Sequence, residues 1–208
     1  MQPESLIFDI DGTLWDSRAL VAQGYNLQLR AEGLEHLCVT AEDLRPLFGK
    51  TITEIADVIL ATIPQAERYA LMARCMDTEQ ANLRKDPCRI SYPGVAQTLS
   101  ELSRRHRLFI VSNSEQGYPE LTMEKLGVTE LFSGHLCFGD TGTDKGTTLL
   151  RLMDRYRIRD AVYIGDTQGD LEACRKAGIP FIWADYGFGT PESWDGRIHS
   201  FPELTGLF

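Results

Sequence analysis

Several things are missing from this chain, and each absence removes a class of protein. No apolar run approaches the ~18 residues needed to cross a bilayer, so no membrane partner is expected. The opening Met1-Gln2-Pro3-Glu4-Ser5 has no basic region followed by an apolar one, so no secretory leader is expected. Cysteine is sparse. Cys38, Cys75, Cys88, Cys137 and Cys174 are odd in number, scattered and without a C-x-x-C pair, which predicts reduced, buried thiols and a cytoplasmic setting. His36, His106, His135 and His199 fit no zinc spacing, and no serine stands in a G-x-S-x-G elbow. Positive charge is also short. With 21 Lys+Arg against 30 Asp+Glu the net charge is −9, which excludes nucleic-acid binding by a broad basic surface. Any anionic ligand must be held by a local device that overcomes this field.

What is present is globular material: 43% hydrophobic and 25% charged residues exclude a disordered or fibrous chain. A length of 208 residues suits one ample domain, or one domain carrying a sizeable insertion. Such a chain buries about 70% of its unfolded surface and needs no disulfide or structural zinc. Short apolar runs bounded by turn residues occur at Leu6-Ile7-Phe8, Leu108 to Val111, His135 to Phe138, Ala161 to Ile164 and Phe181 to Trp183. They read as buried parallel strands. Helical spacing lies between the later runs: Val95, Leu99 and Leu102 after Pro93-Gly94; Leu149, Leu152, Met153 and Tyr156; and Leu171, Cys174 and Ala177 before Gly178. The expected fold is α/β, a Rossmann-like parallel sheet with helices on both faces.

Residues 17–88 interrupt that alternation with helical segments and no convincing strand. Thr51-Ile52-Thr53-Glu54 is a capping-box pattern, and Ile52, Ile55, Ala56, Ile59, Leu60 and Ile63 share one face before Pro64. A further helix is expected from Gln65 towards Lys85. The expected organisation is a core of residues 1–16 and 89–208 with an inserted α-helical domain at 17–88.

Two acidic pairs stand at strand ends. Asp9 and Asp11 follow the first strand, spaced so that extended chain puts both on one side, and Gly12 permits a tight turn beside them. Asp166 and Asp170 follow the strand ending at Ile164, and a helix beginning there would put both on one face. Ligands of open α/β sheets bind at these strand ends. Turn and helix-cap roles are the alternative for each pair alone. Four converging carboxylates need a cation, because like charges ~4 Å apart cost about 4 kcal/mol at an effective dielectric near 20. Oxygen donors without His or Cys point to Mg2+. Ser112 and Asn113 close the second core strand with groups suited to a phosphoryl oxygen or to a turn, and Lys145 precedes a helix.

Asp-Ile-Asp-Gly-Thr-Leu, Val-Ser-Asn-Ser, Lys145 and Gly-Asp-Thr-Gln-Gly-Asp, in this order, resemble the haloacid dehalogenase-like hydrolase superfamily. Within it the chain is similar to the helical-cap branch that includes phosphoglycolate phosphatase-like enzymes. Ala184-Asp185-Tyr186-Gly187-Phe188-Gly189 also resembles the segment after the last core strand of that branch. Gly146 departs from the proline that often follows the motif lysine. The resemblance implies that Asp9 is the nucleophile forming an aspartyl-phosphate, and that Asp11 is the acid and base. Asp9, the Asp11 carbonyl, Asp166 and Asp170 would hold or orient Mg2+, with Ser112, Asn113 and Lys145 on the phosphoryl oxygens. It implies a small phosphorylated metabolite as substrate, since dehalogenase members look to lack the second Asp of the first motif. Lys50, in Phe48-Gly49-Lys50, would lie on a substrate-reaching loop. Trp15 stands at a commonly aliphatic position and reads as packing against core or hinge rather than substrate. The expected assembly is a monomer or weak homodimer. The rival readings are a β-phosphoglucomutase-like phosphotransferase on the same fold and a non-enzymatic phosphate-sensing module.

Overall fold

The computed structural model describes residues 2–87 and 90–208. Cys88, and the expected domain boundary at 88/89, lie outside the described residues. The chain divides into two compact units, residues 1–16 with 91–208 and residues 17–90.

The first unit is built on strands β1 (Ser5–Phe8), β2 (Arg107–Ser112), β3 (Phe132–Cys137), β4 (Ala161–Gly165), β5 (Phe181–Ala184) and β6 (Gly196–Ile198). They form one sheet in the order β3-β2-β1-β4-β5-β6, with every pairing parallel. Among the described residues the α-helices are α1 (Arg18–Ala31), α2 (Ala41–Leu44), α3 (Ile52–Ile59), α4 (Gln65–Lys85), α5 (Val95–Leu102), α6 (Tyr118–Leu126), α7 (Phe138–Thr141), α8 (Lys145–Tyr156), α9 (Gln168–Ala177) and α10 (Leu204–Leu207). The strands β1 and β4 are buried at every residue, which is why they read as unbroken apolar runs. Ile7, Phe109, Val111 and Tyr163 pack with Leu149, Leu152, Leu171 and Cys174 into one cluster between sheet and helices. Each large apolar side chain buried there contributes about 1.5–3 kcal/mol.

Two details depart from the sequence expectation. The third strand begins at Phe132, and Phe138 opens a helix instead of closing the strand. The Asp140 carboxylate accepts the Cys137 amide at 2.9 Å and so caps a helical turn at that point. The three-residue β6 gave no apolar run long enough to see. Of the described cysteines, Cys75, Cys137 and Cys174 are buried free thiols and Cys38 is half-buried. Burial pushes the Cys75 thiol up to about 11 and Cys137 up to about 12, so neither is a ready nucleophile.

The second unit is helical. The helices α1 and α4 pack so closely that a Cβ on Gly24 would stand 2.4 Å from the Glu79 Cα. The Thr51 amide and hydroxyl both donate to Glu54, at 2.8 and 2.7 Å, closing the capping box that starts α3. Leu29, Leu44, Ala56 and Leu60 are fully buried in this unit's own core, with Ile52, Ile55, Ile59 and Ile63 partly buried against them.

Candidate active site at the carboxyl end of the sheet

The strand β1 lies at the centre, and the chain leaves it first towards β2 and β3, then returns on its other side as β4. Ligands of open α/β sheets bind at such a switch in strand order, at the carboxyl ends of the strands, here those of β1 and β4. Register brings their ends level: Phe8 pairs with Ile110 on one side and Ile164 on the other, and the Asp9 amide donates to the Ile164 carbonyl at 2.9 Å.

Asp9, Asp166 and Asp170 converge there, each buried, with carboxylate oxygens within 4.8 Å of one another. Lys145, at the first turn of α8, reaches into the group. Its Nζ donates to Asp9 Oδ1 at 2.8 Å and to Asp170 Oδ1 at 2.6 Å. Asp170 is at the same time the capping-box acid of α9. Its Oδ2 accepts the amides of Asp166 and Thr167, at 3.1 and 2.9 Å, and the Thr167 hydroxyl at 2.7 Å. The cap role and the site role therefore belong to one residue. Asp166 precedes α9, so the second acidic pair meets across a helix N-terminus and not along a helix face.

Glycines make room for Asp166. A Cβ on Gly12 would stand 2.2 Å from Asp166 Oδ2, and one on Gly187 would stand 2.4 Å from its Cβ. The Phe188 amide donates to Asp166 Oδ2 at 2.7 Å, while Asp166 Oδ1 is buried without a hydrogen-bond partner among the described residues. A buried, unsatisfied carboxylate oxygen is costly unless something positive meets it. An all-oxygen donor set with one such atom fits a hard divalent cation.

The protonation pattern follows from burial and one cation. Burial, then Asp170 and Asp9, pushes the Asp166 carboxyl well above its usual range. Burial raises Asp9 to about 7 against the pull of Lys145. Asp170 is held below the usual range, because Lys145 and then Thr167 outweigh its burial. Burial works against the Lys145 charge too, but Asp170 and Asp9 overcome it and leave the ammonium more firmly protonated.

The other predicted residues divide. Ser112 ends β2 buried, its Oγ accepting the Ser114 amide at 3.2 Å, and half-buried Asn113 follows it. Asp11 is not part of the three-carboxylate group; its Oδ1 accepts the Trp15 indole N–H at 2.9 Å and the Tyr118 hydroxyl at 3.0 Å. Lys50 is exposed in the helical unit, between Leu47, whose carbonyl its amide bonds, and α3. Gly146 has a local reason: a Cβ there would stand 2.7 Å from Lys176 Cδ, so glycine lets α8 lie close against α9. The N-cap Asp144, which accepts the Thr147 amide and the Lys176 ammonium, at 3.1 and 2.9 Å, anchors the turn that presents Lys145.

Sequence reasoning missed Tyr163. It reads as one more apolar strand residue, yet its hydroxyl donates to the Val111 carbonyl at 2.8 Å and to Asp170 Oδ1 at 3.3 Å. The signal available was a tyrosine two residues before a strand-end glycine, which its hydroxyl alone distinguishes from core. Thr167 was visible only as part of the acidic motif.

Fold and site together define a doubly wound α/β protein with an oxygen-lined acidic cup, bridged by a buried lysine, at its switch point. The chain belongs to the haloacid dehalogenase-like hydrolases, whose family pattern matches residues 6–184. It is 29% identical to a phosphoglycolate phosphatase of Xanthomonas campestris, over 94% of this chain and 91% of that protein. It is 28% identical to a phosphoglycolate phosphatase of Agrobacterium fabrum, over 88% of this chain and 80% of that one. A solved structure described as a predicted phosphoglycolate phosphatase from Haemophilus somnus superposes with a TM-score of 0.86, at 20% identity, over 100% of this chain and 98% of that chain. At that identity the superposition establishes the fold alone.

Proposed function

We propose that this hydrolase is a Mg2+-dependent phosphatase that cleaves a small phosphate monoester of the phosphoglycolate type through an aspartyl-phosphate on Asp9. The observation that carries the reading is the buried Lys145 bridge between Asp9 and Asp170 beside the unsatisfied Asp166. A lysine so placed opposes the rise that burial gives the Asp9 carboxyl and adds positive charge where phosphoryl oxygens would gather. Asp9, Asp166, the Asp11 carbonyl and, through contact or orientation, Asp170 would hold Mg2+, whose charge neutralises a phosphoryl group. Ser112 and Asn113 are assigned to phosphoryl oxygens, and Asp11 to protonating the leaving alcohol and then deprotonating water. The names of the bacterial relatives support the substrate class. Residues 17–90 are assigned as the helical cap that selects the substrate, with a monomer or weak homodimer in the cytoplasm as the working form.

The test is phosphate release from phosphoglycolate, sugar phosphates, nucleotides and pyrophosphate with Mg2+, by wild type and Asp9→Asn. Release by wild type, loss in the variant and a trapped acyl-phosphate mapping to Asp9 are expected. Turnover surviving in Asp9→Asn would overturn the mechanism. A sugar bisphosphate formed without net phosphate release would mark a phosphotransferase instead.

A further inference from the structure

The Asp166 carboxylate lies between two glycines from separate loops. A Cβ on Gly12 would stand 2.2 Å from its Oδ2, and a Cβ on Gly187 would stand 2.5 Å from the same atom. That second Cβ would also stand 2.6 Å from the Gly12 carbonyl oxygen, so the loops meet each other as well as the acid. The residue after Gly12 and the residue before Gly187 are bonded: the Tyr186 hydroxyl donates to the Thr13 carbonyl at 2.9 Å. The Tyr186 ring rests edge to face on Tyr92, with centroids 4.7 Å apart and planes at 66°. Tyr92 is tied to the same stretch, because its amide donates to the Leu14 carbonyl at 3.1 Å. Two successive carbonyls, those of Thr13 and Leu14, thus anchor the ring pair.

The loop after β5 is also held at its start. The Asp185 amide donates to the Ile198 carbonyl at 3.1 Å, and its carboxylate accepts the Arg197 guanidinium at 2.6 Å. Those bonds tie the loop to β6, whereas the Tyr186 bond ties it to the loop after β1. Two residues beyond Tyr186, the Phe188 amide donates to Asp166 Oδ2 at 2.7 Å, so where Tyr186 is held decides where that donor sits. We infer that Tyr186 is a positioning residue whose bond to Thr13 clamps the loops after β1 and β5 on Asp166 and thereby sets the affinity of the cup for Mg2+. This rests on the Mg2+ part of the reading above. A carboxylate already held in place loses less freedom when a cation binds. Groups that only orient a metal ligand typically change metal affinity about 10–100-fold.

Tyr186→Phe keeps the ring against Tyr92 and deletes one donor. Mg2+ is titrated into metal-free wild type and variant by calorimetry, with the Tm of each in EDTA as the measure of folding. The variant is expected to bind roughly tenfold more weakly. A bond that serves the fold alone would lower Tm in EDTA and leave Kd in place. A Kd within twofold of wild type would therefore overturn the inference, whatever the change in Tm, and leave the Mg2+ reading standing. Coupling between loop and cation is reciprocal, so wild type alone gives a second measurement. Saturating Mg2+ is expected to slow hydrogen exchange at the Phe188 amide about tenfold. Unchanged exchange there would overturn the inference even if Tyr186→Phe did not fold. If wild type binds no Mg2+, the Mg2+ reading itself fails and the inference falls with it.

Discussion

Lys145 Nζ stands 2.6 Å from Asp170 Oδ1, the same oxygen that receives the Tyr163 hydroxyl at 3.3 Å. This ion pair ties the first turn of α8 to the first turn of α9, and through Asp9 to the end of β1. Removing one partner of such a buried pair leaves the other charge without compensation. Lys145→Met is expected to lower kcat/KM at least 100-fold and to destabilise the fold by roughly 3 kcal/mol. Steady-state kinetics and urea unfolding without Mg2+ measure the two effects; unchanged stability would show that the pair is not what holds these turns together.

Gly187 and Asp166 are the second relationship with a consequence. A Cβ added at Gly187 would meet Asp166 Oδ2 at 2.5 Å as well as its Cβ. Gly187→Ala must push the Asp166 carboxylate out of place, and Mg2+ affinity by calorimetry is expected to weaken tenfold or more. Gly206→Ala is the control, because a Cβ there meets nothing within 4 Å. It is expected to bind Mg2+ like wild type.

A cation that binds the folded cup and not the unfolded chain stabilises by mass action. Mg2+ at one hundred times its Kd is expected to add about 2.7 kcal/mol. For a chain of this length that raises Tm by about 5–10 °C. Asp166→Asn should remove this increment, while an equal ionic strength of NaCl should not supply it. Chelation with EDTA is expected to abolish turnover and lower Tm together.

Lys50 is exposed just before the capping box of α3. Lys50→Ala is expected to weaken turnover of the true substrate while sparing a generic aryl phosphate. Equal losses on both would reduce Lys50 to a solvated surface charge.

Much of this architecture is written locally. The residues Leu6-Ile7-Phe8 and Ala161 to Ile164 announce buried strands because both faces of a parallel sheet are covered. Thr51 to Glu54 announces a helix start because the capping box is made within four residues. The acids that follow two of those strands were legible for the same reason: ligands gather where parallel strands end. Tyr163 was not legible, because its strand position is that of any core residue and only the neighbouring chain shows what its hydroxyl meets.

The sequence by itself determined the order of the first five strands, the helical interruption after the first of them, and a chemistry of oxygen donors with scarce positive charge. Tertiary structure decided which acids share the cup. Two pairs of aspartates stand alike in sequence, yet Asp9, Asp166 and Asp170 meet around Lys145 while Asp11 turns to Trp15 and Tyr118. The reason is that spacing along one strand reports only which side a residue takes. Convergence depends on register between segments more than one hundred residues apart, where Phe8 aligns with Ile110 and Ile164, and on glycines that let separate loops approach one carboxylate. The acidic balance that excludes a broad basic surface includes three buried aspartates, two of them bonded to one buried lysine.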